Sequence, residues 1–476
     1  MTVAWRIAEA QFRTQPAAQV QFSDGFMRGT KGAGMNTLIT DDRAAAREPI
    51  DISFHSDSSA IVGLGAINGI LKVLTLGLYS FWAKTELRRK IWSATRLNGE
   101  PLGYTGTGKE LFLGFLIVFG LVVLPVLLAG VAVSLMFPGD QTALAIFQGF
   151  LYLLFFLLVG NAMYRAQRYR LSRSEWRGIR GSLAGSPGRY GWAYFWTLAM
   201  PFAFIALLAG VFAYATGPAV GGVLMVAGLL AVLWVLPWRA NYLRAKITRD
   251  MRFGDRPLSY TGTARPLYKR YLFAWLGNAL IFATAIATTA LYVMQSGLYD
   301  RQIARLPPQP SEILPIAGIW ILAVIASAVV TAWYRAKQIN HFAGSTHFEG
   351  ATFRGEATGG SLMWLVLSNW IISALGLVAG ALLAGVLVYL FAPSAAAIGL
   401  QPQLQPFNLL ALLIAVPPII VLTTLAATIA QFRAARYLMT RLKLDGPVNL
   451  GLIMQSQNRM PKRGEGLAQV FDLDAF

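Results

Sequence analysis

Cysteine is absent from the 476 residues, which removes disulfides, thiolate nucleophiles and sulfur-ligated metal sites. Charge is scarce as well: Asp, Glu, Lys and Arg make up 13% of the chain, against about 25% in ordinary soluble domains. Histidine occurs only at His55, His341 and His347, and no H-E-x-x-H pattern exists. His341 and His347 are spaced neither i,i+3 nor i,i+4 and lie in a Gly/Ser-containing connector, so a capping or solvated role is favoured over metal ligation. Acidic residues are missing from the interior of every long apolar run. That argues against proton-driven transport and against an intramembrane aspartyl or metal active site. No nucleophile and base can be paired from the spans, so neither an enzyme nor a cofactor is expected.

What is abundant is apolar surface, at 55% of residues, with 12% aromatics placed at the ends of the apolar runs. So little charge cannot cover a water-soluble core, and the aromatic placement fits a membrane-interface belt. Runs long enough to cross a bilayer, about 20 residues, occur near 111–137, 144–166, 191–214, 218–237, 271–296, 313–334, 362–391 and 407–431. The net charge of +19 invites a nucleic-acid reading, but most of the 41 Lys and Arg fall in blocks that directly follow alternate spans. This is the positive-inside pattern, and it makes anionic lipid headgroups at the cytoplasmic face the expected partner, not nucleic acid. No protein partner is indicated. The N-terminus, MTVAWRIAEAQFRTQ, has no apolar h-region, so the first span is expected to direct insertion.

Internal similarity organises the rest. PLGYTGTG at 101–108 recurs as PLSYTGTA at 257–264, each following a Trp (Trp82, Trp238) by the same interval. A Gly turn precedes each: Asn98-Gly99-Glu100 and Phe253-Gly254-Asp255. Weaker copies start at Tyr164, Tyr334 and Phe432. The unit reads as a span leaving the membrane with basic turns, a Gly break, a short period-2 strand, and re-entry. The landmarks are Tyr79, Trp82, Lys84, Gly99, Tyr104 and Gly106 in one copy, and Trp238, Arg239, Gly254, Tyr260 and Gly262 in another. Tyr334 and Arg335 mark a third.

GYTGTGKE at 103–110 also spells most of a phosphate-binding loop, G-x-x-x-x-G-K-[ST]. Glu110 stands where a hydroxyl is needed, and the sister copy replaces Gly108-Lys109 with Ala264-Arg265. A cradle that loses its last glycine is not what the repeat preserves, so the stretch reads as a strand and turn at the membrane surface.

A further apolar stretch, 59–83, contains Gly63, Gly65, Gly69, Lys72 and Gly77. Its length permits a single crossing, which would place residues 1–58 outside the cytoplasm. Repeat logic favours a shortened hairpin that returns to the same side.

TLGLYSFWAK at 75–84, followed by RRKIWSATRLNGEPLGYTGT at 88–107, resembles the recurring motif of the YjgN-like family of bacterial inner-membrane proteins, domain of unknown function 898. Thr75, Leu76, Gly77, Tyr79, Trp82, Ala83 and Lys84 match, with Asn68 in the apolar run before them. The arrangement covers about 51–457. The resemblance implies a multi-pass protein of a Gram-negative inner membrane and carries no assigned chemistry.

Asn68, Asn278 and Asn369 fall early in re-entering helices, at similar distances from a strand aromatic. Cross-helix structural bonds are the plain reading, and the lining of a polar pathway the sharper one. Gly376, Gly380 and Ala384 form a small-xxx-small helix-packing face. The expected architecture is an all-α polytopic membrane protein of about five degenerate repeats: four transmembrane hairpins and one shortened hairpin, with short cytoplasmic strands between them. Residues 1–50 form an N-terminal extension, 51–457 the membrane domain and 458–476 a tail, with both termini cytoplasmic. The expected activity is passage or handling of a small or lipidic solute without proton coupling. The alternative is a scaffold or accessory subunit that uses the basic face.

Overall fold

The computed structural model describes residues 48–55, 58–298, 309–391, 406–461 and 466. Residues 1–47 of the expected N-terminal extension, and most of the tail beyond 461, lie outside the described residues. Among the described residues, seven helices are long and apolar enough to cross a membrane. They are α3 (Gly108–Met136), α4 (Gln141–Ser172), α5 (Pro187–Thr216), α8 (Arg265–Gln295), α9 (Pro310–Gly344), α10 (Gly359–Phe391) and α11 (Pro406–Thr440). The bent pair α6 (Pro218–Val232) and α7 (Val235–Asp250), which meet at 40°, makes an eighth where the two count as one span. In lipid no water is present to satisfy backbone groups, so these apolar runs must close their hydrogen bonds internally as helices. In α3 a π turn at Phe119–Val123 ends two residues before Pro125, whose ring displaces the normal ladder.

The stretch 59–83 forms two shorter helices, α1 (Ser58–Leu74) and α2 (Ser80–Ala94). Leu76 and Gly77, with φ of 49° and 90°, turn the chain between them. Strand β2 (Ile52–Phe54) before α1 pairs antiparallel with β3 (Thr95–Leu97) after α2. The pair therefore leaves from and returns to one small sheet, which a single crossing could not do.

Strands are more extensive than the sequence pattern indicates. Each Gly turn joins two strands: β3 to β4 (Glu100–Pro101), β6 (Ser174–Trp176) to β7 (Ile179–Leu183), β8 (Met251–Phe253) to β9 (Arg256–Tyr260), and β10 (Thr346–Phe348) to β11 (Ala351–Gly355). Three of these loops place a residue and a Gly at positive φ: Asn98-Gly99, Arg177-Gly178 and Glu349-Gly350. That is the two-residue turn whose twist matches paired strands. In the fourth, Gly254 alone takes positive φ, at 60°.

The other strand pairs hold the helical hairpins. β5 (Gly103–Tyr104) pairs with β6 around α3–α4, and β7 with β8 around α5–α7. β9 pairs with β10 around α8–α9, and β11 with β12 (Leu442–Asp445) around α10–α11. The result is an eight-stranded antiparallel meander in chain order, from which helices rise in pairs. Leu102 N donates to Thr95 O, which sets the chain leading into β5 beside β3. At the other end β1 (Glu48–Pro49) pairs with β13 (Pro447–Val448).

The helices follow the same closure: neighbours in sequence pack together, and α11 packs on α1 as well as on α10. Glycines permit both approaches. A Cβ on Gly69 would lie 2.8 Å from Val421 Cα, and one on Gly65 3.2 Å from Leu425 Cα. On the opposite flank, Cβ atoms on Gly376 and Gly380 would meet Leu422 O at 2.9 Å and Ile419 Cα at 2.9 Å. Small-xxx-small faces are how helices associate in lipid, where no hydrophobic force drives them together. Because backbone atoms block the added Cβ, Gly69→Leu is expected to destabilise the protein by about 1–3 kcal/mol. Gly63→Leu on the same helix faces open space and is expected to stay within about 0.5 kcal/mol. Thermal unfolding in detergent micelles checks the pair; equal midpoints would contradict close packing at the seam.

Candidate functional site

The stretch that resembles a phosphate loop is filled by protein. Thr107 caps α3 by accepting from Glu110 N at 3.3 Å. Glu110 accepts from Tyr169 Oη at 2.6 Å and from Arg173 at 2.7 Å, tying the start of α3 to the end of α4. Gly108 lies against Trp82, where a Cβ would be 2.6 Å from the indole. Gly106 sits under the Tyr104 ring, and Gly262 under the Tyr260 ring, so the glycine of Y-x-G accommodates its own tyrosine. Tyr260 Oη donates to Asn241 Oδ1 at 2.6 Å, and Asn241 Nδ2 donates to Gly262 O at 3.0 Å.

The three asparagines occupy separate places. Asn68 is buried on α1 between Gly65 and Gly69, with its Oδ1 facing no donor. Asn369 Nδ2 reaches across to Ala430 O of α11 at 3.2 Å, a cross-helix bond. Asn278 Nδ2 bonds Ala274 O within its own helix at 2.9 Å, and its side chain lines a cavity with Arg239 and Arg335. Asn68 and Asn369 thus belong to the helices that grip α11, while Asn278 stands in the α7–α8–α9 region. His347 is bonded by Thr261 and Thr352 at 2.9 Å each, inside the sheet region. Among the described residues, no group of three or more His, Asp or Glu is arranged to hold a metal ion.

The feature without a sequence signal is a pair of adjoining chambers. The first, about 260 Å³, is walled by side chains from strands of both the eight-stranded meander and the small β2–β3–β4 sheet. Ile52, Leu97, Trp176, Phe253, Leu258, Phe348, Phe353 and Leu444 come from β2, β3, β6, β8, β9, β10, β11 and β12. Edge contacts run through the wall, with Trp176 and Phe253 rings 6.2 Å apart and Phe253 and Phe348 6.1 Å apart. Leu450 completes the lining, and Ile453 is buried against the same aromatics, so the chain after β13 covers part of the chamber. That covering segment is pinned by Asp255 N to Met454 O at 3.0 Å and by Arg180 to Ser456 O at 2.8 Å.

The second chamber, about 250 Å³, lies between α2, α4 and α11, with Lys84, Arg88, Gln167, Arg170 and Gln431 among its walls. Leu171 and Ser174 line both. The two cavities therefore meet at these shared wall residues, and the second sets its cations and amides into a mostly apolar wall. Sequence reasoning picked out Lys84 as a motif residue but had no means of placing it there, because the chamber's walls come from segments hundreds of positions apart.

Exposed carboxylates lace the sheet edge. Hydrogen bonding from Arg177 holds Glu100 below the usual carboxylate range, and Lys443 does the same for Glu356.

A polytopic helical membrane protein with a sheet-walled chamber is the class this architecture defines. The chain belongs to the family described as "Bacterial protein of unknown function (DUF898)", whose profile matches residues 49–470. It is also 42% identical over 53 residues to the Inner membrane protein YjgN of Salmonella typhimurium, a stretch that is 11% of this chain and 13% of that relative. No solved structure matches.

Glu110→Ala would leave Arg173, 12% exposed, without its carboxylate, an expected loss of about 2 kcal/mol read from the unfolding midpoint. The Glu356 contribution is present above the ordinary carboxylate range and disappears as pH falls through its lowered folded-state value. Comparing midpoints of the native protein and Glu356→Gln across acidic pH checks this: the difference should shrink as the medium becomes more acid.

Proposed function

We propose that this protein handles a lipidic solute, an amphiphile with an acyl part and an anionic head, without proton coupling. The observation that carries the reading is the pair of chambers that share Leu171 and Ser174: the first is walled by aliphatic and aromatic side chains, and the second sets Lys84, Arg88, Arg170 and two glutamines into a mostly apolar wall. Such a pairing matches an amphiphile better than a small ion or sugar, whose polar groups would find no partner in the first chamber. The spans agree with this chemistry. Only 6–11% of each span's most apolar window is buried in protein, so acyl chains must solvate most of the helix surface. No carboxylate lies in the middle of any span, which leaves proton coupling without a carrier.

The same reading treats the molecule as five degenerate copies of one unit, each a helical pair with flanking strands, the first shortened. The matching Y-x-G geometry and the recurring turns support it. It places the sheet and both termini in the cytoplasm of a multi-pass inner-membrane protein, because the basic blocks lie at the strand end of the spans. No enzymatic step is assigned.

Leu171→Trp fills the junction between the chambers. With a fluorescent fatty acid as probe, the native protein is expected to bind it and Leu171→Trp to bind about tenfold more weakly. Leu97→Trp, from another strand of the same wall, should act in the same direction. Unchanged binding in both variants, with normal unfolding midpoints, would favour the scaffold reading instead.

A further inference from the structure

We infer that the cavity between α7, α8 and α9 is a binding site for a monoanionic phosphodiester lipid headgroup that carries hydroxyls, of the phosphatidylglycerol type. The cavity is about 380 Å³ and is distinct from the two chambers. Arg239 of α7 and Arg335 of α9 both line it. One guanidinium nitrogen of Arg239 donates to Tyr194 O at 3.2 Å, and the guanidinium rests 4.2 Å from the Tyr194 ring centre, which orients the group. Its Nε is buried and faces no acceptor. Arg335 donates to Gln338 Oε1 at 2.9 Å, and Gln338 is buried in the cavity wall.

Among the described residues no carboxylate pairs with either arginine. The surrounding helices offer none nearby. α8 contains no acid, and the only one in α9 is Glu312, at its far end. The only acid in α7 is Asp250, which accepts from Tyr164 Oη at 2.8 Å. Arg239 is half-buried and Arg335 exposed, so neither charge is forced to pair within the chain, and beside Leu236, Ala274 and Trp275 both can reach an anion from outside it.

Two further features narrow the ligand. Aromatic side chains cluster at the cavity: Tyr271, Trp275 and Tyr334 line it, Tyr271 lies 5.4 Å from Tyr334, and Trp234 lies 6.3 Å from Trp275 and 6.1 Å from Tyr268. Trp and Tyr concentrate at the depth of the lipid headgroups, so the cavity meets phosphates already anchored in the bilayer. Asn278 then supplies what a bare phosphate would not use. Its Nδ2 is bonded to Ala274 O, and its Oδ1 is buried without a donor. That oxygen can accept from a headgroup hydroxyl while the arginines hold the phosphate.

The test uses the full chain in nanodiscs of phosphatidylcholine containing a minority of phosphatidylglycerol, with lipid retained after extraction counted by native mass spectrometry. Phosphatidylglycerol should be retained about tenfold over phosphatidylcholine. Arg239→Gln with Arg335→Gln should lower retention about 25-fold, and Arg335→Gln alone about fivefold. The single variant decides the matter if the double one unfolds, since Arg335 is exposed and its loss spares the Tyr194 contact. Asn278→Ala should equalise phosphatidylglycerol and phosphatidylmethanol, which has the same charge and no hydroxyl. Equal retention of phosphatidylcholine, or unchanged retention in Arg335→Gln, overturns the site. Displacement by inorganic phosphate at the same concentration assigns it to a soluble anion and overturns the lipid source. Leu171→Trp should leave retention here untouched, so this site and the chamber reading fail separately.

Discussion

The close approach of α11 to α1 is the contact on which the rest of the molecule depends. Gly65 and Gly69 let backbone meet backbone there, while Gly376 and Gly380 do the same on the other flank of α11. A helix held between two glycine faces gains dispersion contacts that bulky side chains would prevent, and in lipid those contacts are most of what associates helices. Because α11 ends where β12 begins and α1 starts where β2 ends, the seam also brings the two ends of the strand series together. The shared chamber exists because that series closes. A meander left open would expose Phe253, Phe348 and Phe353 to water, and its edge strands to other chains.

Much of this was legible in the residues, for identifiable reasons. Span positions follow from the length of hydrophobic runs, which lipid enforces strictly, and all eight expected runs coincide with helices or with the bent α6–α7 pair. Gly376, Gly380 and Ala384 were readable as a packing face because the spacing itself is the signal; Gly380 and Ala384 are buried, and Gly376 lies on Leu422 and Ala426. Gly65 and Gly69 have the same spacing, yet inside a short segment with Lys72 they read equally well as helix breaks. Only the position of a partner 350 residues away separates the two meanings.

The strands show a different limit. Tyr104 and Tyr260 advertise the strand after each turn, whereas Thr95–Leu97 and Thr346–Phe348 look like the frayed ends of basic helices. Three residues are too few for a period-2 pattern to emerge, and what makes them strands is pairing supplied from elsewhere. The asparagines show the same dependence. Similar spacing from a strand aromatic does not fix what each amide meets, which depends on the neighbouring helices. Asn369 therefore became a bond to Ala430, and Asn278 part of a cavity wall.

Strand β1 finds its partner β13 nearly the whole length of the domain away. During synthesis, the early strands must wait while about 400 residues are made and inserted, on the order of 20–80 s at about 5–20 residues per second. For that interval the growing chain carries an unfinished edge, and its hairpins stand in the bilayer as an open fence. Helix α11 with strands β12 and β13 then has two tasks at once, packing against α1 and bringing the late strands to the early ones. Products that stop short of α11 consequently have most of the spans but lack the compartment those spans frame.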